Sequence, residues 1–222
     1  MIDPKVESTI EAALEAFSKY SSFDAAPLTE AFKNVFASDE HFLLKTDMLD
    51  EVFDDHPQLE DLREVFFDLL MMNFFMADAK KLEEDYLDSP DWEEIEEETI
   101  DRGSEVLNLL LYLNECEDEE IEPELEDYLK EFLLVDEDEF QDEYRIYEPV
   151  IANQLLMEGP VSEIGKIAAN IPEESELQEL FYPLMAFFQN ISPSVEAKKA
   201  IAEYSANKPF DMAVLEILIS FK

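Results

Sequence analysis

The sequence predicts an all-α protein, a compact multi-helix bundle of about eleven helices built around a long central antiparallel helix hairpin. Apolar residues recur three or four apart along nearly the whole chain, and no segment shows sustained period-2 alternation. Glycine, which supplies the positive-φ positions of tight turns and phosphate loops, occurs only at Gly103, Gly159 and Gly165. Average usage of about 7% would give about 15 in a chain of 222 residues. Leucine, methionine, glutamate and alanine, all good helix formers, are abundant. A helical-repeat solenoid is the minor alternative, because prolines 27, 57, 90, 123, 160 and 193 are 30 to 37 residues apart. Against it, 58–86 and 91–115 each read as one long helix, and no tetratricopeptide or ankyrin pattern is present.

The expected helices are 4–20, 28–37, 40–54, 58–86, 91–115, 123–134, 137–158, 161–170, 175–190, 194–205 and 210–221. Asp3-Pro4 opens the first, with Val6, Ile10, Leu14 and Phe17 as its stripe. Pro27, Pro57, Pro123 and Pro209 stand where other apolar periods begin, and Ser89-Pro90 and Ser192-Pro193 read as further cap-and-proline starts. The run from Val65 to Met76 is apolar almost all round, so its helix belongs at the centre. Asn73 lies on the core side of that helix and needs a hydrogen-bond partner on a neighbouring element. In 91–115, Trp92, Ile95, Thr99, Val106, Leu110 and Leu113 share one side, and Glu94, Glu98, Asp101 and Glu105 share the other. A link around Leu87-Asp88-Ser89 would fold 58–86 and 91–115 into the hairpin. Glu115–Asp127, with nine acids and no base, reads as a solvated loop that enters a helix near its end. Asp136 would cap the next helix, with Phe140, Tyr144, Tyr147 and Ile151 inside and a kink at Pro149. In 175–190, Leu177, Leu180, Phe181, Leu184, Phe187 and Phe188 form the stripe. Length and patterning suggest one all-helical domain, 1–222, leaving room for a looser C-terminal part over 160–222.

Charge narrows the functional classes. Fifty-seven acids against 15 bases give a net charge of −42. Phosphate would be repelled, which excludes direct nucleic-acid binding and an anionic membrane surface. The 47% apolar content still suffices for a core. Cys116 stands alone, so neither an internal disulfide nor a cysteine zinc cluster is expected. The opening residues do not read as a signal peptide, and no apolar run reaches the ~20 residues of a bilayer span, so a cytoplasmic protein is expected. The charge is uneven: residues 1–82 carry −11, 83–148 carry −26 and 149–222 carry −5.

Catalytic and metal motifs fail on counting. Gly159-Pro-Val-Ser-Glu-Ile-Gly165-Lys166 has five residues between its glycines, where a Walker A loop has four, and Ile167 replaces the magnesium-binding hydroxyl. His41 and His56 lack the Glu-x-x-His and His-Glu-x-x-His contexts, and His56 reads as a turn residue before Pro57. Asp136–Phe140 lacks the fifth-position ligand and sixth-position glycine of an EF-hand. No catalytic residue, cofactor or metal is expected.

The sequence reads best as a non-enzymatic interaction or adaptor protein that engages a basic protein partner through its middle third, 83–148. Steering by charge would be combined with a few apolar anchors. Glu94, Glu98, Asp101 and Glu105 are the candidate docking residues. One alternative is a nucleic-acid-mimicking inhibitor of a DNA- or RNA-binding enzyme. A single helix places a carboxylate only every ~5.4 Å, against a phosphate per ~3.4 Å on each strand, so acids of Glu115–Asp127 or Asp136–Glu143 would have to contribute. The other alternative is an enzyme or small-molecule binder with a pocket between helices.

Overall fold

The computed structural model describes residues 1–78, 86, 89–132, 134–136, 139–140 and 146–222. Among these the chain is all-helical, with twelve α-helices and one minimal two-stranded ladder. No helix among them is long and apolar enough to cross a membrane. The chain packs as two compact units, Met1–Asn108 and Leu109–Lys222.

The first unit holds α1 (Pro4–Tyr20), α2 (Thr29–Ala37), α3 (Phe42–Asp55), α4 (Arg63–Asn73) and α5 (Pro90–Glu98). α1 starts where the Asp3-Pro4 signal places it, because the Asp3 carboxylate accepts the Lys5 N–H at 2.8 Å and Pro4 has no N–H to satisfy. α1, α2 and α3 pack in sequence, and α4 lies against α1 and α3. Every residue of α4 from Val65 to Asn73 is buried, as its all-round apolar run requires. Phe32, Phe53 and Phe66 form the aromatic centre, with ring centroids 4.7–5.7 Å apart. The Asn73 amide meets its need for partners: its Oδ1 accepts the Asp3 N–H at 2.8 Å and its Nδ2 donates to the Met1 carbonyl at 3.2 Å.

The second unit holds α6 (Val106–Asp118) from Leu109 onward, α7 (Leu125–Asp127), β1 (Leu134–Asp136), β2 (Glu139–Phe140), α8 (Glu148–Ala152), α9 (Val161–Ala168), α10 (Phe181–Gln189), α11 (Val195–Tyr204) and α12 (Lys208–Phe221). α10 is the hub, touching α8, α9 and α12. Tyr112, Tyr128, Tyr147 and Phe188 form an aromatic group, in which the Tyr128 and Tyr147 hydroxyls share a 2.7 Å hydrogen bond.

Several expected elements differ. The run 91–115 is two helices, α5 and α6, not one. Thr99 Oγ1 donates to the Ile95 carbonyl at 2.7 Å as α5 ends, and Gly103 takes φ +89°. The Ser104 N–H and hydroxyl then bond to the Asp68 carboxylate of α4 at 2.6–3.1 Å. A side chain 36 residues away thus satisfies the donor in front of α6 and favours a fresh start over continuation. The other expected hairpin arm, 58–86, opens as a 3-10 turn over Pro57–Leu62, runs as α4, and widens into a π turn at Phe74–Asp78. Its residues 79–85 lie outside the described residues, as do Leu87 and Asp88 of the expected link. The expected helix 123–134 is α7 followed by a π turn at Tyr128–Phe132. In the expected helix 137–158, Asp136 sits in β1, which pairs antiparallel with β2, and Tyr144 lies outside the described residues. Pro149 sits in the first turn of α8 and does not kink a longer helix, since a proline fits the first turn and not the interior. The run 175–190 becomes helical only from Phe181. Ser194, not Ser192, caps α11, accepting the Ala197 N–H at 3.2 Å.

Candidate functional site

The carboxylates expected to dock a partner separate in the structure. α5 carries six acids in nine residues and is capped by Ser89, whose hydroxyl accepts the Trp92 N–H at 3.2 Å. Ile95 is its one fully buried residue, and Trp92 is half-buried, stacked on Phe74 at 5.9 Å. Glu94 and Glu98 therefore point to solvent, as the helical period predicts, and Asp101 is exposed on the following turn beside Ile100, which is 81% exposed. Glu105 departs from this row. It is half-buried beyond the Gly103 break and accepts from Asn108 Nδ2 at 2.9 Å. Three of the four residues form an exposed acidic strip; the fourth braces the start of α6.

Arg102, the only base between Lys81 and Lys130, does not neutralise that strip. Its guanidinium turns to Asp50 at 2.9 and 3.1 Å and to Glu64 at 3.1 Å, and it lies over the Phe67 ring. Arg63 reaches Asp50, Asp54 and Glu60 from the other side. Two of the three arginines in the chain are thus engaged by acids of α3 and α4 and their connecting turn. Beneath them, burial pushes the Asp68 carboxyl well above the usual carboxylate range, against the opposing pull of its bonds to Ser104. Glycine inside a run otherwise read as helix was the sequence signal for this assembly; the partners Asp50, Glu64 and Asp68 left none.

A second acidic surface belongs to the other unit. α6 ends in a turn where the Ile121 N–H returns to the Cys116 carbonyl at 2.9 Å. This return is the Schellman closure, whose left-handed position favours glycine, yet Glu120 occupies it at φ +57°. Tyr112 braces the exit, its hydroxyl accepting the Glu124 N–H at 3.0 Å and donating to the Glu124 carbonyl at 3.1 Å. Two open grooves flank the segment and meet at Pro123. One, of about 260 Å³, is lined by the apolar Leu113, Cys116, Ile121 and Ile191, by Glu117, Glu120 and Glu122, and by Lys222. The other, of about 420 Å³, has Leu125, Leu155, Met157 and Phe188 as its apolar lining and Glu124, Glu126 and Glu158 on its rim. Leu155 is 84% exposed and Ile121 46%. The expected solvated acidic loop is therefore half helix, since α6 runs through Asp118, and half braced turn.

Cys116 is buried in the groove lining, and burial pushes its thiol up, which keeps it protonated and weakly nucleophilic at neutral pH. His41 precedes α3 without a side-chain capping bond, and His56 leads into Pro57, its ring 6.1 Å from Phe23. Among the described residues no three His, Cys, Asp or Glu converge as a metal site. No protein-family model matches the chain, and neither a curated protein nor a solved structure matches it.

Proposed function

We propose that the chain is a non-enzymatic cytoplasmic interaction protein that holds a basic, amphipathic segment of a protein partner against its middle third. The observation that carries this reading is the pair of grooves joined at Pro123, each with apolar side chains in its lining, and with six glutamates against one base between them. That base is Lys222, whose ammonium is held at the edge of the first groove by the Ile191 carbonyl at 3.1 Å. Apolar lining and glutamates together suit a helix with leucine-like side chains on one face and lysine or arginine beside them. The apolar lining supplies retention and the glutamates supply steering. The strained left-handed Glu120 fits the same reading, because backbone strain persists where a side chain is needed at one place. The exposed strip of Glu94, Glu98 and Asp101 adds to the long-range field.

The test uses an amphipathic leucine–lysine peptide with helical spacing and a scrambled peptide of the same composition. Replacing Glu117, Glu120, Glu122 and Glu126 by Gln should lower the association rate about tenfold at low salt and flatten its salt dependence. Replacing Glu94, Glu98, Asp101 and Glu105 should give a smaller loss. Replacing the exposed acids Glu174, Glu176, Glu196 and Glu203 should change little. Equal losses from all three sets, or equal binding of the scrambled peptide, would show that only total charge matters and would overturn the reading.

A further inference from the structure

The C-terminal unit contains a cavity of about 330 Å³ that the docking surface does not use. α9 forms one wall with Gly165, Ala168 and the following Ala169, and the opposing walls come from α10 and the turn before it and from the facing ends of α11 and α12. Gly165 brings α9 close: a Cβ there would lie 2.7 Å from the Tyr204 carbonyl oxygen. The charged groups lining the cavity are Glu173, Glu179 and Asp211, with no Lys, Arg or His among its lining residues. Its rings are Tyr182, Tyr204 and Phe210. The Tyr182 hydroxyl is committed to the Ile201 carbonyl at 2.6 Å, so Tyr182 contributes ring surface and not a donor.

Asp211 is only 4% exposed, at the start of α12, hydrogen-bonded to the Ser205 hydroxyl at 2.6 Å and to the Asn207 backbone. Among the described residues the three carboxylates do not converge with others as a metal site, whereas a cavity lined by three aromatic rings and a buried carboxylate suits an organic ammonium.

We propose that this cavity binds a small primary alkylammonium, its charge beside Asp211 and its carbon body against Tyr182, Tyr204 and Phe210. This goes beyond the docking role and is independent of it. Burial, reinforced by Glu179, pushes the Asp211 carboxyl up to about 7. Of the titratable groups around it, Glu173 and Glu179 come from the turn, Tyr182 from α10 and Tyr204 from α11; α9 lines the cavity with none. An entering cation favours the carboxylate, so below that pH Asp211 releases its proton as the ammonium arrives. Affinity therefore falls about tenfold per pH unit below about 7 and levels off above it.

The full chain is titrated by calorimetry with n-butylammonium chloride, ammonium chloride and n-butanol, in background salt that screens the surface. The expected result is one saturable butylammonium site, weaker at pH 6 than at pH 8 by about tenfold, with proton release at pH 6 shown by buffers of different ionisation heat. Butanol and ammonium should bind far less. Asp211→Asn, which keeps size and an acceptor, should weaken butylammonium at least tenfold, and Glu179→Gln less so. Wild-type proton release serves as the decisive measurement if Asp211→Asn disturbs folding. Absence of a saturable site, absence of proton release, or butanol or ammonium binding as tightly as butylammonium would overturn the proposal. So would unchanged binding in a folded Asp211→Asn variant.

Discussion

Replacing Gly103 by Ala tests the joint between α5 and α6. At φ +89° an L side chain is strained by about 1–2 kcal/mol. The added Cβ would lie 2.7 Å from Asp68 Oδ1 and 3.4 Å from the Phe67 ring. Asp68 is fully buried and holds Ser104 through its backbone N–H and its hydroxyl, so its carboxylate has no vacant space to move into without loosening those bonds. Weakening one charged hydrogen bond adds about 1.5–3 kcal/mol. The sum, about 2.5–5 kcal/mol, is a large part of a typical domain's stability of ~5–15 kcal/mol. Trp92, the sole tryptophan, is in the same unit and stacked on Phe74, so its fluorescence during urea unfolding reports the loss. Gly159→Ala is the control. Its φ is an ordinary −96° and the nearest atom to a new Cβ is 3.6 Å away. Followed by circular dichroism, it should be neutral or stabilising by up to about 1 kcal/mol. If Gly103→Ala shifts the fluorescence transition by less than about 0.5 kcal/mol, the argument from backbone strain and Asp68 contact is refuted.

Asp211 makes stability depend on pH. Its folded-state value of about 7 exceeds the ordinary 3.8, so the folded state binds the extra proton and stability falls as pH rises from about 4 to about 7, then stays at the lower level. The ceiling is about 4 kcal/mol; Asp211→Asn should remove this slope in melting temperatures measured from pH 5 to pH 8, leaving the same-signed contribution of Asp68. Glu120→Gly should stabilise the second unit by about 1 kcal/mol in urea unfolding, because it relieves a left-handed φ of +57° and removes a charge from the rim. Asn73→Leu should cost about 1–3 kcal/mol in the same assay, since it removes the acceptor of the Asp3 N–H and a donor to the Met1 carbonyl.

Local signals carried the reading where the cause was local. Asp3, Pro4 and the Val6–Ile10–Leu14–Phe17 stripe specify α1 to its ends, and the apolar girth of 65–73 places α4 in the core. The apolar period in 91–115 is equally genuine, since Ile95, Val106, Leu110 and Leu113 are all buried. It does not reveal that the backbone between them turns, because the acceptors that stabilise the turn lie on α4 and α3, far away in sequence. The same limit separates Glu105 from Glu94, Glu98 and Asp101: one helical phase was extended across a break. Asp211 left a weaker trace still, one acid among Phe210, Met212 and Ala213 that reads as a helix-start preference until the cavity shows it buried.

α5 has a further consequence in its amide protons. Nine residues make a marginal helix by themselves, and this one has Ile95 as its single fully buried residue, alongside α3. Glu96, Glu97 and Glu98 crowd its C-terminal end, where the helix macrodipole already concentrates negative potential. Its amides should therefore exchange with solvent through a local opening far cheaper than unfolding of the Phe32–Phe53–Phe66 centre. Cations gathered at that end would lower the repulsion, so added salt should slow the exchange of these amides. A basic ligand near α5 would act on the same equilibrium, leaving a footprint of protected amides before any rearrangement of the core.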